Sequence, residues 1–132
     1  MKSNKFIVTI NKPVHEVFAF TLNPANTPSW ISSIVQEEVN EKPTKIGTIY
    51  RNQNKKGRWS EYTITAYEEN KFFIFTSSDK NYNVKYSFRP IGDNATEVEY
   101  YEWVDEGELE EPFNIEILEK LKSIIESSPT RF

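Results

Sequence analysis

The chain has no cysteine, one histidine, one methionine and four glycines among its 132 residues. Without thiols there are no disulfides, no thiolate nucleophile and no cysteine-ligated metal. The lone His15 has no second imidazole with which to share a metal. It falls early on an expected helix, on the solvent side, where a surface histidine is a plainer assignment than a general base. Gly47, Gly57, Gly92 and Gly107 are isolated and form neither G-x-x-x-x-G-K nor G-x-G-x-x-G, so no phosphate-cradling loop is expected. No serine has a G-x-S-x-G context, and with the lone His on a surface helix no Ser-His-Asp triad is expected.

Long apolar runs are also missing. None approaches the roughly 18 residues that a membrane-spanning helix needs. The apolar stretch within Met1 to Ile10 is only about five residues, too short for a secretory signal. Charge of one sign is not in large excess: 16 basic and 20 acidic side chains give −4, spread along the chain. Nucleic-acid binders usually cluster Lys and Arg. These absences lead us to expect one cytoplasmic domain with no nucleic-acid partner, no membrane insertion, no metal and no cofactor.

Aromatic residues are plentiful: nine Phe, seven Tyr and three Trp, 14% of the chain. They bring large buried areas, and Tyr and Trp add a polar handle that wants a partner when buried.

Phe6 to Ile10 is β-branched and aromatic and predicts a strand. Pro13 suits the first turn of a helix, and Val14, Val17, Phe18 and Leu22 follow at helical spacing. Pro24 and Pro28 bracket at most one further short helical turn. Strands are then expected over 33–39, 47–54, 58–67, 72–77, 82–89 and 96–104. Asn54-Lys55-Lys56-Gly57 is a hairpin signal, and residues 90–94 predict another turn. In 82–89, Tyr82, Val84, Tyr86 and Phe88 alternate with polar residues, the mark of a half-buried antiparallel strand. After an acidic stretch, 105–111, Pro112 is expected to open the longest helix. Its apolar stripe is Phe113, Ile117, Leu118, Leu121, Ile124 and Ile125, and Ser127-Ser128-Pro129 closes it.

Antiparallel strands flanked by helices mean α+β. Six sequential strands twist into a curve. A helix only about 10 Å across cannot fill that concave side alone. The remaining space is packed by aromatics or left as a cavity.

Several stretches share their order with a known family. They are Lys12-Pro13-Val14-His15-Glu16-Val17-Phe18, Asn23-Pro24 through Asn26 to Pro28-Ser29-Trp30, Ile46-Gly47-Thr48 into Tyr50-Arg51, and Thr63 to Glu69. Tyr86-Ser87-Phe88 to Gly92, Ala95-Thr96-Glu97-Val98 and the closing Leu121-Lys122-Ser123-Ile124-Ile125-Glu126 continue the order. Over essentially its whole length the chain resembles the polyketide cyclase/dehydrase and lipid-transport superfamily, the START-like or SRPBCC helix-grip proteins. Asn23, where many relatives have Asp, and the more acidic loop before the last helix are departures. The resemblance implies a seven-stranded antiparallel sheet gripping the C-terminal helix, two short N-terminal helices and a hydrophobic tunnel between sheet and helix. The superfamily hosts carriers, receptors and cyclases, so activity has to be argued from the site.

The expected wall of that cavity is Trp30, Tyr50, Tyr62, Phe73, Phe75, Tyr86, Tyr100, Phe113, Ile117 and Leu121. For Phe75 and Phe88 the plainer role is core. Asn52, Glu61, Thr63 and Glu102 could add polar groups, but a one-residue slip of register would reverse their facing. In strand 58–67, Tyr62-Ile64-Ala66 and Trp59-Tyr67 compete for the inside. A carboxyl at Glu61 or Glu102 facing a closed apolar pocket could serve as an acid or base. The acidic stretch fits a solvated helix approach better than a cation site. Lys55-Lys56-Gly57-Arg58 fits a hydrated hairpin tip better than a phosphate contact.

Three functions remain: binding or carriage of a hydrophobic small molecule, lipid-like or aromatic, by a monomer or weak homodimer; a cyclase/dehydrase-type enzyme; and a protein-interaction module without ligand.

Overall fold

Strand alternation builds one sheet in the computed structural model, which describes residues 1–127. The strands are β1 (Ser3–Ile10), β2 (Ile34–Val39), β3 (Ile49–Asn54), β4 (Trp59–Glu68), β5 (Phe72–Ser77), β6 (Tyr82–Ile91) and β7 (Ala95–Val104). Their order is β1-β7-β6-β5-β4-β3-β2, with every neighbouring pair antiparallel. Strands β2 to β7 follow in sequence, and β1 pairs with β7 at one edge. Between β1 and β2 lie α1 (Val14–Leu22), a 3-10 turn (Pro24–Asn26) and α2 (Thr27–Trp30); α3 (Ile115–Ser127) closes the chain.

Cross-strand register fixes what faces inward, because directly paired residues share a face. The inner rows across β6, β7 and β1 are Val84–Glu102–Asn4, Tyr86–Tyr100–Phe6 and Phe88–Val98–Val8. In β4 the competition between the two inward sets is resolved by a bulge between Ile64 and Ala66. Before it Tyr62 and Ile64 point in; after it the phase flips, and Tyr67 pairs with Phe73 and meets Phe18 edge-on at 5.8 Å. Bulges shift alternation by one residue in this way. Trp59 is left outside, under the Arg51 guanidinium at 4.8 Å.

The core occupies the end of the concave face under α1 and α3. Phe18 inserts edge-on between Phe73 (5.7 Å) and Phe88 (5.2 Å). Leu118, Leu121 and Ile125 bury the inner side of α3, each contributing about 1.5–3 kcal/mol by burial. The hairpin at Asn54 to Arg58 forms as expected, with Gly57 at φ 84 where a side chain would be strained. Asn54 Oδ1 accepts from the Lys56 and Arg58 amides.

Two expected boundaries are corrected. The last helix begins at Ile115, not at Pro112. The Phe113 carbonyl, which a helix would use, accepts instead from Asn4 Nδ2 at 2.8 Å, and Asn114 Oδ1 accepts from the Ile117 amide. The expected turn over 90–94 is shorter, because β6 continues through Pro90 and Ile91. Strand β5 begins, at Phe72, opposite Ser87, so Pro90 has no neighbour on that side to which a missing N–H matters. The Ser128-Pro129 stop lies outside the described residues.

Candidate functional site

At the other end of the concave face the sheet is not filled. A cavity of about 500 Å³ opens there. Tyr50 and Asn52 on β3, Tyr62 on β4, Phe75 on β5, Tyr82, Val84 and Tyr86 on β6, and Tyr100 and Val104 on β7 line it. Ile31 and Ile34 border it near β2, and Leu109 and Phe113 cover it from the segment between β7 and α3.

That covering segment is tied down along its length. Asn81 accepts from the Glu106 amide and donates to its carbonyl, at 2.8 and 3.0 Å. The Leu109 amide donates to the Met1 carbonyl at 2.8 Å. Phe113 stacks on Tyr100 with ring centroids 3.9 Å apart. Below it, Glu102, 1% exposed, receives four donors: the Phe113 amide (2.7 Å), Asn4 Nδ2 (2.9 Å), Tyr82 Oη (2.7 Å) and Tyr100 Oη (3.3 Å). A buried carboxylate needs this many partners, because burying an unsatisfied one is expensive.

A second carboxyl, Glu37 on β2, lines the cavity itself. Thr27 Oγ1 donates to it at 2.6 Å and Asn52 Nδ2 at 3.3 Å. Burial raises its pKa, and these two hydrogen bonds only partly oppose that. Tyr50 donates to the Leu22 carbonyl at 2.8 Å, linking β3 to the end of α1. Burial pushes its phenol up to about 12. Burial likewise raises Tyr62, Tyr82, Tyr86 and Tyr100, so these phenols stay protonated at neutral pH. The wall therefore mixes aromatic faces with neutral hydroxyls and the Glu37 carboxyl, whose pKa burial raises. It can enclose an apolar body and position it through a few polar contacts.

Of the ten wall residues expected from sequence, Tyr50, Tyr62, Phe75, Tyr86, Tyr100 and Phe113 line this cavity. Trp30, Phe73, Ile117 and Leu121 are not among its lining. Trp30 stands behind it, edge-on to Tyr86 at 6.2 Å and to Phe113 at 6.4 Å, and its indole N–H is buried without a partner among the described residues. Phe73 and Leu121 belong to the packed core, and Ile117 packs partly buried against it. Among the polar candidates, Asn52 and Glu102 face inward. Glu61 lies outside, 3.5 Å from Arg51.

Sequence reasoning missed Glu37 and left Tyr82 out of the wall. Glu37 sits in a polar run, Gln36-Glu37-Glu38, that reads as a hydrated edge strand. The available signal was its position two residues before Val39, on the same face. His15 is exposed on α1. Among the described residues no three His, Asp or Glu side chains converge as metal ligands, and no helix is long and apolar enough to cross a membrane.

The family model for polyketide cyclase / dehydrase and lipid transport matches residues 5–128. The chain belongs to that family. Solved structures share the fold at low identity. The protein XoxI from Bacillus cereus matches at TM-score 0.73 and 14% identity, covering 96% of this chain and 97% of that one. A START superfamily protein from Mycobacterium smegmatis matches at 0.66 and 15%, covering 96% and 95%. The Aha1 dimer from Colwellia psychrerythraea matches at 0.67 and 11%, covering 96% and 98%. No curated protein matches the chain. These likenesses show a START-like helix-grip fold.

Proposed function

We propose that this family member binds or carries a hydrophobic small molecule, lipid-like or aromatic, in the cavity beneath the segment between β7 and α3. One observation carries this: an opening of about 500 Å³ persists in a domain whose other end is closely packed with rings. Small-molecule sites are typically about 300–1,000 Å³, mainly apolar, with a few convergent polar groups. Seven aromatic side chains and the Glu37 carboxyl supply that combination.

Two measurements test it. Native mass spectrometry of the purified protein, set against its denatured mass, reports any retained non-covalent ligand. Calorimetric titration with naphthylmethanol then probes the empty cavity. Saturable one-to-one binding is expected, and Val84→Phe should weaken it about tenfold or more by filling the floor. No saturable binding, or equal binding by Val84→Phe, would refute the proposal.

A cyclase/dehydrase-type enzyme is the second possibility, favoured by Glu37 in the wall and the Tyr82–Glu102 hydrogen bond at 2.7 Å beside it. Such an enzyme could work largely by folding a flexible chain around one acid–base group. A product lighter than its substrate by one water, abolished in Glu37→Gln, would establish it.

A further inference from the structure

The wall's charge is of one sign. Glu37, Asp79, Glu108, Glu110 and Glu111 line the cavity and its mouth, and among the described residues the lining includes no Lys, Arg or His. Glu108 is already paired with the Met1 ammonium at 3.2 Å. Strand alternation has sorted the charges here. On the outer face, Arg51 bridges Glu38 at 3.1 Å and Glu61 at 3.5 Å. On the inner face, the paired residues are Glu37 and Asn52, and Glu37 has only the neutral Thr27 and Asn52 as hydrogen-bond donors. The nearby cation is thus spent on the other side of the sheet.

A second, independent feature points to a missing partner. Tyr86 is 5% exposed and lines the cavity. No described residue hydrogen-bonds its hydroxyl, and Glu37 lines the same cavity. A hydroxyl that lines an opening with no protein partner is available to a polar group placed there.

We infer that the cavity's ligand is an amphipathic cation, an apolar body carrying an ammonium group that Glu37 and the Tyr86 hydroxyl receive. This rests on the proposed binding role and names its ligand class. An ammonium has three donors and no acceptor. Glu37 takes one as a charge-assisted hydrogen bond, and Tyr86 Oη can accept another. The surrounding tyrosine faces add cation–π attraction. Burial alone disfavours the ionised Glu37, and a cation beside it restores that form. Asp79, Glu110 and Glu111 at the mouth draw cations in and turn carboxylates away.

Three probes sharing one naphthyl ring decide this: naphthylmethylammonium, naphthylmethanol and naphthoate, titrated at low salt. The ammonium should bind about tenfold tighter than the alcohol, and the carboxylate weakest. In Glu37→Gln the ammonium should fall about tenfold, to the alcohol's level. If the carboxylate binds as tightly as the ammonium, or Glu37→Gln keeps the ammonium preference, the inference is wrong. Should the alcohol bind without any charge preference, only the ligand class fails. If no probe binds, the binding role fails with it. The wild-type series alone fixes the sign of the preference, so the test stands even if the variant does not fold.

Discussion

Glu102 accepts from four donors beneath the segment between β7 and α3, and Glu102→Ala measures what that is worth. Among the described residues its carboxylate is the only acceptor for the Phe113 amide and for one hydrogen of the Asn4 amide; the other Asn4 hydrogen goes to the Phe113 carbonyl. Removing it strands those two donors. Tyr82 and Tyr100 lose less, since both line the cavity, where water can reach them. An unsatisfied buried donor costs about 1–3 kcal/mol, so two give about 2–6 kcal/mol before any cavity term. That is a large share of a typical total stability of about 5–15 kcal/mol. Urea unfolding followed by circular dichroism should show a much lower midpoint with an unchanged slope. Hydrogen exchange should report a local effect as well: the Phe113 amide and the 105–114 segment should lose protection, while β4 and β5 keep theirs relative to the new global stability. A midpoint loss equivalent to less than about 1 kcal/mol, with the segment still protected, would show that the carboxylate does not hold it.

Phe73→Ala removes a ring packed against Phe18, Phe75, Tyr86 and Phe88 and should cost about 3–5 kcal/mol, against about 1 kcal/mol or less for the outward Trp59→Ala; chemical denaturation separates them. Glu37→Gln should alter the pH dependence of stability. Burial raises the folded pKa of Glu37, so wild type loses stability as pH rises from the unfolded value through the folded one. The variant keeps the Thr27 hydrogen bond through its amide oxygen and meets Asn52 once the Asn52 amide turns over to accept, without that loss. Its melting temperature should therefore exceed wild type at about pH 8 and converge with it near about pH 4; an equal gap at both would refute the assignment. Tyr50→Phe deletes the hydroxyl joining the Leu22 carbonyl and Thr44 and should cost about 1–3 kcal/mol, read from thermal melts.

The sheet was legible because its signals are local. Tyr82 to Phe88 alternates without interruption, and Pro13 and Pro24 mark helix and break by their own backbone chemistry. What was illegible depended on distant contacts. A bulge in β4 has no sequence mark of its own, so neither competing inward set could be rejected; each holds on one side of Ile64. Phe113 fits the helical stripe, yet Tyr100, Asn4 and Glu102 pull it out of the helix, and no local pattern records partners about a hundred residues away in the chain for Asn4. The cavity's position followed from that displacement. With Phe113 drawn down onto Tyr100, Leu109 and Phe113 form its cover, whereas α3 packs its stripe against the closed end.

The aromatic residues divide between those two ends by chemistry rather than by size. Five of the seven tyrosines (Tyr50, Tyr62, Tyr82, Tyr86 and Tyr100) line the cavity, while Phe18, Phe73 and Phe88 fill the closed end. A hydroxyl inside a close-packed cluster of rings would have no partner, at a cost that packing does not return. Beside an opening it can meet Glu102, as Tyr82 and Tyr100 do, or remain available, as Tyr86 does. Phenylalanine carries no such obligation and packs edge-to-face at 5–6 Å without loss. On one curved sheet, inward tyrosine therefore marks where the interior stays open, and inward phenylalanine marks where it closes. Three residues depart from that division, and Phe75 does so outright, lining the cavity edge-on to Tyr50 and Tyr62. Tyr67 keeps its ring on Phe18 at the sheet's end, and Phe113 enters the cavity wall only because its backbone, not its side chain, supplies the polar groups that Glu102 and Asn4 require.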